Sequence, residues 1–560
     1  MKPAQLPAAV IALLSVAASA VAQETTVMCV SDPASALPGV ATVTACPGLL
    51  PPQAPTGRDI TQMEGFPKTM GLDSYGMFRP SRGLAFADLD GDGRLEIIAS
   101  STDRKVYAWD HTGAALPGFP VTLNEMAQYA PSIGDLDGDG DLEIVQPTRG
   151  WTSGGRLYAL DHTGQVLPGF PRNWSNNNVS SCATLYDLDG DGDLEIIANE
   201  RAGSLGKLHV VQHDGSEWAG NWPVPLDHVP AATPAVGDVD GDGAPEILAV
   251  SYDSMYLLAL DGTALPGWPR QIPAANFSYQ SPALADLDGD GDLEIVIGAH
   301  KDAAGCYVFH HDGTSLPGWP KMLGTWSFCP PTVTDLEGDG VLEILDGRAG
   351  SAMGYSYLFW AWDVSGAVKP GFPYGSSLGG GSEGPLTVTD LNGDGRMEIF
   401  ADHSMSSAGS GYLHGVDAAG NVLPGFPLRP RGATYMNGAT IGDVDGDGDC
   451  ELGVVSSHDT GADVNLYDLP DACSPYGPAW TTYHAHHRRG GQFHPGFGDA
   501  DADGDVGLDD FLAFAECLTG PWQAADFTPP SMDCRLAFDL NEDGDVDLDE
   551  FAAFQEVFTD

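Results

Sequence analysis

The sequence predicts an all-β repeat fold followed by a small α-helical domain at the C-terminus. One nine-residue phrase, first written as Asp88-Leu-Asp90-Gly-Asp92-Gly93-Arg94-Leu-Glu96, occurs eight times, and successive copies start 47 to 55 residues apart. Short apolar runs rich in β-branched residues follow each copy, bounded by Gly, Pro and Asp and without helical periodicity. A period of this length predicts one four-stranded blade per repeat. We therefore expect a β-propeller of eight blades, with seven blades and one irregular repeat as the alternative.

The N-terminal 60 residues precede the repeats and divide into two parts. Residues 1–22 contain the basic Lys2, an apolar stretch and a small-residue end, which is typical of a secretory signal peptide cleaved before Gln23. The sequence therefore predicts a secreted, extracellular or cell-surface protein. Residues 23–60 form a Pro-rich linker, in which Cys29 and Cys46 suggest a disulfide. The sequence predicts no transmembrane segment.

The repeat region spans residues 61–494 and carries a second recurring phrase, Pro-Gly-aromatic-Pro, as in Pro117-Gly-Phe119-Pro120. Identical aromatic positions in successive blades favour packing of one blade on the next over sugar stacking. A related phrase, Gly65-Phe66-Pro67, precedes the first loop, and Pro478-Ala-Trp480 follows the last one. This overhang at both ends predicts a ring closed by pairing of the first and last strands.

The nine-residue phrase, here called loops 1 to 8, has acidic or amide oxygens at positions 1, 3, 5 and 9 and glycine at position 6. Hard oxygen donors around a sharp glycine turn are typical of a calcium loop. Together with position 7, the candidate metal-binding residues are Asp88, Asp90, Asp92, Arg94, Glu96; Asp135, Asp137, Asp139, Asp141, Glu143; Asp187, Asp189, Asp191, Asp193, Glu195; Asp238, Asp240, Asp242, Ala244, Glu246; Asp286, Asp288, Asp290, Asp292, Glu294; Asp335, Glu337, Asp339, Val341, Glu343; Asp390, Asn392, Asp394, Arg396, Glu398; and Asp443, Asp445, Asp447, Asp449, Glu451.

These eight loops resemble the FG-GAP or VCBS repeat family, whose members form the calcium-binding blades of integrin-type β-propellers. The resemblance covers about residues 65–491 and implies a calcium-loaded propeller. The family usually closes its loop with Asp at position 9, whereas every copy here has Glu. A longer carboxylate can reach an ion directly or through water.

The C-terminal region, residues 495–560, contains two loops of a different kind. Their candidate ligands follow EF-hand spacing and are Asp499, Asp501, Asp503, Asp505, Asp510 and Asp539, Asn541, Asp543, Asp545, Glu550. Each loop runs into a short stretch with helical apolar periodicity. The pair resembles a dockerin, which implies calcium binding and a cohesin-like receptor, although both copies carry Leu-Asp at positions 10 and 11 instead of Ser/Thr-type residues. With the propeller, up to about ten calcium ions are expected.

The acidic charge of the chain argues against a nucleic-acid-binding protein. The formal charge is −55, and 48 of the 79 acidic residues lie in the candidate metal loops. The chain has no basic stripe, so nucleic acid is not an expected partner.

Eight of the nine cysteines form couples close in sequence, which predicts disulfides Cys29–Cys46, Cys306–Cys329, Cys450–Cys473 and Cys517–Cys534 and leaves Cys182 as a buried thiol.

Three functions agree with this organisation. We favour a non-catalytic binding or adhesion module that presents a rigid calcium propeller to a glycan or an extracellular protein ligand. The alternative is a calcium-dependent polysaccharide lyase or glycoside hydrolase on the same scaffold, and the third is a structural matrix component. No catalytic residue is predicted, because the sequence contains no triad, phosphate loop or zinc spacing. The histidines between His484 and His494 are a candidate ligand cluster.

Overall fold

The structure is a computed structural model that describes residues 29–30, 43–44, 60–72, 83–150, 154–174, 181–324, 326–348, 357–376, 380–404, 411–434, 436 and 438–472. The chain divides into two compact units, Met1–Thr56 with Asp560, and Gly57–Thr559. In the first unit β1 (Cys29–Val30) pairs antiparallel with β2 (Val43–Thr44). The signal peptide, the C-terminal loop pair and the histidine cluster lie outside the described residues. Within those residues no helix is long and apolar enough to cross a membrane.

The second unit contains eight antiparallel sheets, one per repeat, and the predicted all-β propeller of eight blades is confirmed. It begins with β3 (Thr61–Gln62) and β4 (Lys68–Met70). The strands of blades 1 to 4 are β5 (Leu84–Ala87), β6 (Glu96–Ser101), β7 (Lys105–Trp109), β8 (Val121–Thr122); β9 (Ser132–Gly134), β10 (Glu143–Pro147), β11 (Arg156–Leu160), β12 (Arg172–Asn173); β13 (Thr184–Tyr186), β14 (Glu195–Ala202), β15 (Leu205–Val211), β16 (Val224–Leu226); and β17 (Ala235–Gly237), β18 (Glu246–Val250), β19 (Met255–Leu258).

Blades 5 to 8 follow the same antiparallel order. Their strands are β20 (Ala275–Asn276), β21 (Ala283–Ala285), β22 (Glu294–Lys301), β23 (Gly305–Phe309), β24 (Lys321–Met322); β25 (Thr332–Thr334), β26 (Glu343–Gly347), β27 (Tyr357–Asp363), β28 (Tyr374–Gly375); β29 (Thr387–Thr389), β30 (Glu398–Ser404), β31 (Gly411–Val416); and β32 (Thr440–Gly442), β33 (Asp449–His458), β34 (Gly461–Ala472). Blade 5 has an additional short strand, β20, that pairs with β22. In blades 4 and 7 the fourth strand is reduced to an isolated β-bridge, formed by Arg270 in blade 4 and by Leu428 in blade 7.

The ring is closed by strands from both ends of the repeat region, as predicted. The last strand, β34, pairs with β33 on one side and with the early strand β4 on the other, so that Ala462 lies opposite Met70 and Val464 opposite Lys68. The outermost strand of blade 8 therefore comes from the start of the repeat region. Apolar clusters fill the space between neighbouring blades; one joins Ile98 of blade 1 to Ile144 of blade 2.

Hydroxyl groups on the first strands join neighbouring blades near the axis. The hydroxyl of Thr184 donates to the carbonyl of Pro234, which precedes the first strand of the next blade, at 2.7 Å. Equivalent bonds run from Ser132 to Ala183, Thr332 to Leu386, Thr387 to Ala439 and Thr440 to Leu84. Five of the eight blade junctions thus have a buried hydrogen bond that the sequence pattern did not suggest.

The aromatic-Pro phrases pack one blade on the next, which confirms the predicted structural role. Every blade has one, and all eight aromatic-Pro peptide bonds are cis. The phrase of blade 3, Trp222-Pro223, lacks the preceding Pro-Gly and was missed by sequence reasoning. The indole nitrogens of Trp222, Trp268 and Trp319 donate to the carbonyls of Leu260, His311 and Val364 in the following blade.

One of the predicted disulfides is wrong. Cys306 and Cys329 are both buried free thiols, and each has its own polar partner. The thiol of Cys329 donates to the carbonyl of Gly384 at 3.0 Å, while Cys306 hydrogen-bonds with the buried carboxyl of Asp346. Cys182 is a buried thiol, as predicted. Cys450 is disulfide-bonded; its predicted partner Cys473 lies outside the described residues.

Candidate metal centres

The eight acidic loops occupy equivalent places in the eight blades. Each connects the first strand of its blade to the second, and each position 9 glutamate is at the start of the second strand or within it. Because all first strands run in the same direction along the axis, the loops lie on one face of the propeller. The connections that precede the first strands lie on the opposite face.

The aspartate at position 1 organises each loop through backbone hydrogen bonds. In loop 1 the Asp88 carboxylate accepts the amides of Asp92 at 3.1 Å and Gly93 at 2.8 Å. The glycines at positions 4 and 6, Gly91 and Gly93, have φ values of 69° and 84°. L-residues with a side chain rarely adopt this region, so both glycines are required for the turn. The sequence pattern predicts this role only for position 6.

The glutamate at position 9 closes every loop. Its Oε2 accepts the amide of position 2 in all eight copies, from Leu89 to Glu96, Leu136 to Glu143, Leu188 to Glu195, Val239 to Glu246, Leu287 to Glu294, Leu336 to Glu343, Leu391 to Glu398 and Val444 to Glu451, at 2.7 to 3.0 Å. These side chains are at most 4% exposed. One oxygen thus fixes the loop through the backbone, which accounts for the longer residue at this position.

Positions 1, 3 and 9 converge. In loops 1 to 4 one carboxylate oxygen from each of these three residues lies within 4.8 Å of the other two; the groups are Asp88, Asp90, Glu96; Asp135, Asp137, Glu143; Asp187, Asp189, Glu195; and Asp238, Asp240, Glu246. The carboxylate at position 5 uses one oxygen to accept the amide of position 7, as Asp92 does from Arg94 at 3.0 Å. Three carboxylates that converge in this way are suited to hold a hard divalent cation.

Three of the four acidic side chains at position 7 make ion pairs with histidines. Asp141, Asp193 and Asp292 each lie beside a histidine from the turn between the third strand and the aromatic-Pro phrase of the same blade. The pairs are Asp141–His162 at 3.4 Å, Asp193–His213 at 2.9 Å and Asp292–His311 at 2.5 Å. In these three loops a histidine engages the position 7 side chain, which leaves the backbone carbonyl as the donor for a cation, as is usual at this position in calcium loops.

Burial makes the charged form of the position 9 carboxylates unfavourable, and a bound proton or a cation relieves this. Burial, reinforced by the neighbouring aspartates, raises the pKa of Glu96 and Glu246 to about 7 and that of Glu143, Glu195 and Glu451 to about 8. A buried carboxylate among like charges is unfavourable unless a cation compensates it. Oxygen-only donors of this kind suit calcium better than a transition metal.

Loops 5, 6 and 7 depart from the common pattern. In loop 5 His310 Nδ1 lies 2.9 Å from Glu294 Oε1, and these two residues group with Asp288. In loop 6 the ammonium of Lys369 contacts Glu337 and Glu343. In loop 7 the amide nitrogen of Asn392 lies 3.3 Å from Glu398 Oε1, and a half-turn of the amide would present its oxygen instead.

A second candidate site lies on the opposite face. Residues from all eight blades surround a pocket on the axis, among them the aromatic residues Tyr129, Tyr279 and Phe328 and the carboxylate of Glu383. Aromatic contacts continue outward from the pocket across blades 6, 5 and 4. Successive ring centroids are 5.0 to 6.3 Å apart along the aromatic strip Tyr279, Phe328, Trp326, His300, Tyr252 and His228.

Comparison with known proteins agrees with this architecture. Residues 88–145, 187–249 and 238–297 match the family model described as FG-GAP-like repeat. The propeller contains FG-GAP-like repeats. No curated protein matches the chain.

Solved structures with similar folds include the biofilm matrix protein Bap1 of V. cholerae. It is 15% identical, with 76% of this chain and 94% of that chain covered and a TM-score of 0.53. The rhamnogalacturonan lyase PL11 of Bacillus licheniformis is 17% identical, with coverage of 79% and 97% and a TM-score of 0.40. The likeness to Bap1 shows the propeller fold alone, and neither neighbour transfers its role to the FG-GAP-like repeats of this chain.

Proposed function

We propose that this protein is a secreted calcium-binding propeller that acts as a non-catalytic binding or adhesion module. Calcium in the acidic loops holds one face of the ring together, and the opposite face binds the ligand. The dockerin-like C-terminal region attaches the propeller to the cell surface or to a larger complex through a cohesin-like receptor. The aromatic strip is the observation that most directly supports the binding role.

The strip favours a glycan as the ligand. It leads from the axial pocket to Trp326, whose side chain is 50% exposed, beside the charged groups of Lys301 and Asp302. The C–H face of a pyranose packs well against an aromatic ring, and nearby charged groups can hydrogen-bond its hydroxyls. An extracellular protein is the competing ligand, because aromatic residues also contribute much of the binding energy at protein–protein interfaces.

Three of the basic residues are already paired with carboxylates, which favours binding over catalysis by a lyase, because a lyase needs cations that can reach a substrate. Arg156 pairs with Glu125 at 3.4 Å, Arg172 with Glu217 at 2.9 Å and Lys207 with Glu200 at 3.5 Å. The most acid–base-like group, His209 between Glu200 and Glu217, is buried and stacked on Trp174. Its carboxylates neutralise it within the boundary between blades 2 and 3, away from solvent.

Binding of the full-length, calcium-loaded protein to a panel of plant and algal polysaccharides tests the proposal. We expect Trp326→Ala to weaken binding of the retained polymer at least tenfold. The matched control is Tyr357→Ala, because Tyr357 is 47% exposed and contacts Trp360 outside the strip. Equal binding by wild type and Trp326→Ala would overturn the role of the strip. Newly formed chain ends in any polymer would overturn the non-catalytic assignment.

A further inference from the structure

Lys369 occupies a position that is apolar in the other described repeats. It immediately precedes the Pro-Gly-Phe-Pro phrase of blade 6, where blades 1, 2, 4, 5 and 7 have leucine and blade 3 has tryptophan; the equivalents are Leu116, Leu167, Leu265, Leu316, Leu423 and Trp218. The backbone register is the same, since the amide of Lys369 donates to Ala361 at 3.0 Å as that of Leu116 donates to Ala108 at 3.1 Å. Blade 6 therefore carries an ammonium group at a position that is apolar in the other blades named here.

The ammonium lies inside loop 6. Lys369 Nζ is 2.6 Å from Glu343 Oε1 at position 9 and also contacts the carboxylate of Glu337 at position 3. The other oxygen of Glu343 accepts the amide of Leu336 at 2.9 Å, so both of its oxygens are engaged. The lysine side chain is 15% exposed and that of Glu343 is 1% exposed.

The contacts of this ammonium are those expected of a bound cation. In loops 1 to 4 the carboxylates of positions 3 and 9 converge with position 1 on one point, with Oε2 of position 9 held by the backbone. In loop 6 the ammonium bridges positions 3 and 9 directly. Position 3 is also glutamate only in this loop, which gives the carboxylate the length to meet the lysine.

We propose that loop 6 does not bind calcium and that Lys369 supplies its cation instead. A divalent ion between Glu337 and Glu343 would meet the lysine at contact distance. Displacing the ammonium would leave it without its two carboxylates in a largely buried setting, which is unfavourable. The full chain then holds up to nine calcium ions, seven of them in the propeller, and loop 6 keeps its shape when calcium is removed.

Calcium stoichiometry of the full-length protein, measured by equilibrium dialysis and elemental analysis, tests this inference, which rests on calcium binding by the other loops. Asp335→Asn removes the position 1 carboxylate of loop 6, and Asp135→Asn does the same in loop 2. We expect Asp135→Asn to lower the stoichiometry by one and Asp335→Asn to leave it unchanged. A loss of one ion in both variants would overturn the inference.

A second variant makes the test independent of losses caused by misfolding. Lys369→Leu installs the residue found in the other blades, and we expect it to bind one calcium ion more than wild type. The control is Lys321→Leu, because the ammonium of Lys321 lies over the ring of Trp319. An unchanged count in a folded Lys369→Leu variant would contradict the proposal. Absence of calcium from wild-type protein would instead sink the proposed function.

Discussion

The hydroxyl of Thr332 donates a 2.8 Å hydrogen bond to the carbonyl of Leu386 and so joins blade 6 to blade 7. Two residues further along the same strand, the hydroxyl of Thr334 is buried without a hydrogen-bond partner among the described residues. The two threonines lie on the same face of one strand, and both are completely buried. They differ in whether the hydroxyl has a hydrogen-bond partner. They form an internal control for the contribution of the blade-to-blade hydrogen bonds.

Replacing these threonines with valine, which has nearly the same shape, should have opposite results. Thr332→Val leaves the carbonyl of Leu386 without this donor and should lower the free energy of unfolding by about 1–2 kcal/mol. Thr334→Val removes an unsatisfied hydroxyl and should be neutral or stabilising. Urea unfolding of both variants measures the difference, and equal losses would show that the hydroxyl bond contributes nothing.

Substitutions within loop 2 should separate the ligand positions from position 7. Glu143→Gln removes a converging charge, so we expect at least tenfold weaker binding at one calcium site. Asp141→Asn should leave calcium affinity unchanged, because that side chain lies beside His162. Calorimetric titration resolves the two variants. Similar losses in both would mean that position 7 also binds through its side chain.

The pH dependence of stability should differ with and without calcium. The position 9 carboxyls have folded-state pKa values raised by burial to about 7 or 8, from an ordinary value of 4.5. Between pH 5 and 8 the calcium-free folded state therefore binds more protons than the unfolded state, and its stability falls as pH rises. Calcium displaces those protons and should flatten the profile. Chelated protein that gains stability from pH 5.5 to 8 would contradict the raised pKa values.

The tryptophans of the aromatic-Pro phrases should matter for stability and not for ligand binding. Trp268→Phe keeps the packing found at Phe119 and loses the bond to the carbonyl of His311, so we expect a loss of about 1 kcal/mol. Trp268→Ala also creates a cavity between blades and should cost about 3–5 kcal/mol. Thermal unfolding and polysaccharide retention distinguish the roles. Normal stability with lost retention would mean that Trp268 is a ligand residue.

Repetition made the fold predictable, because eight copies of the acidic phrase and the recurring aromatic-Pro phrase give the blade count, the strand order and the closure. The spacing also indicated the acidic loops as candidate metal sites, but it did not single out positions 1, 3 and 9, whose carboxylates lie together in loops 1 to 4. The contribution of Lys369 was not predictable, since it lies 26 residues from Glu343 and only the blade fold brings them together. The Cys306–Cys329 disulfide failed because closeness in sequence says nothing about which polar partner a buried thiol finds across blades.

Thermal unfolding of the full-length protein in excess calcium and in excess chelator tests the central claim most directly. At calcium ten times above the dissociation constant, each site stabilises the folded state by about 1.4 kcal/mol, so seven propeller sites supply on the order of 10 kcal/mol. We predict a melting temperature at least about 10 °C lower in chelator. Identical melting temperatures under the two conditions would contradict the account of the acidic loops as a ring of calcium sites.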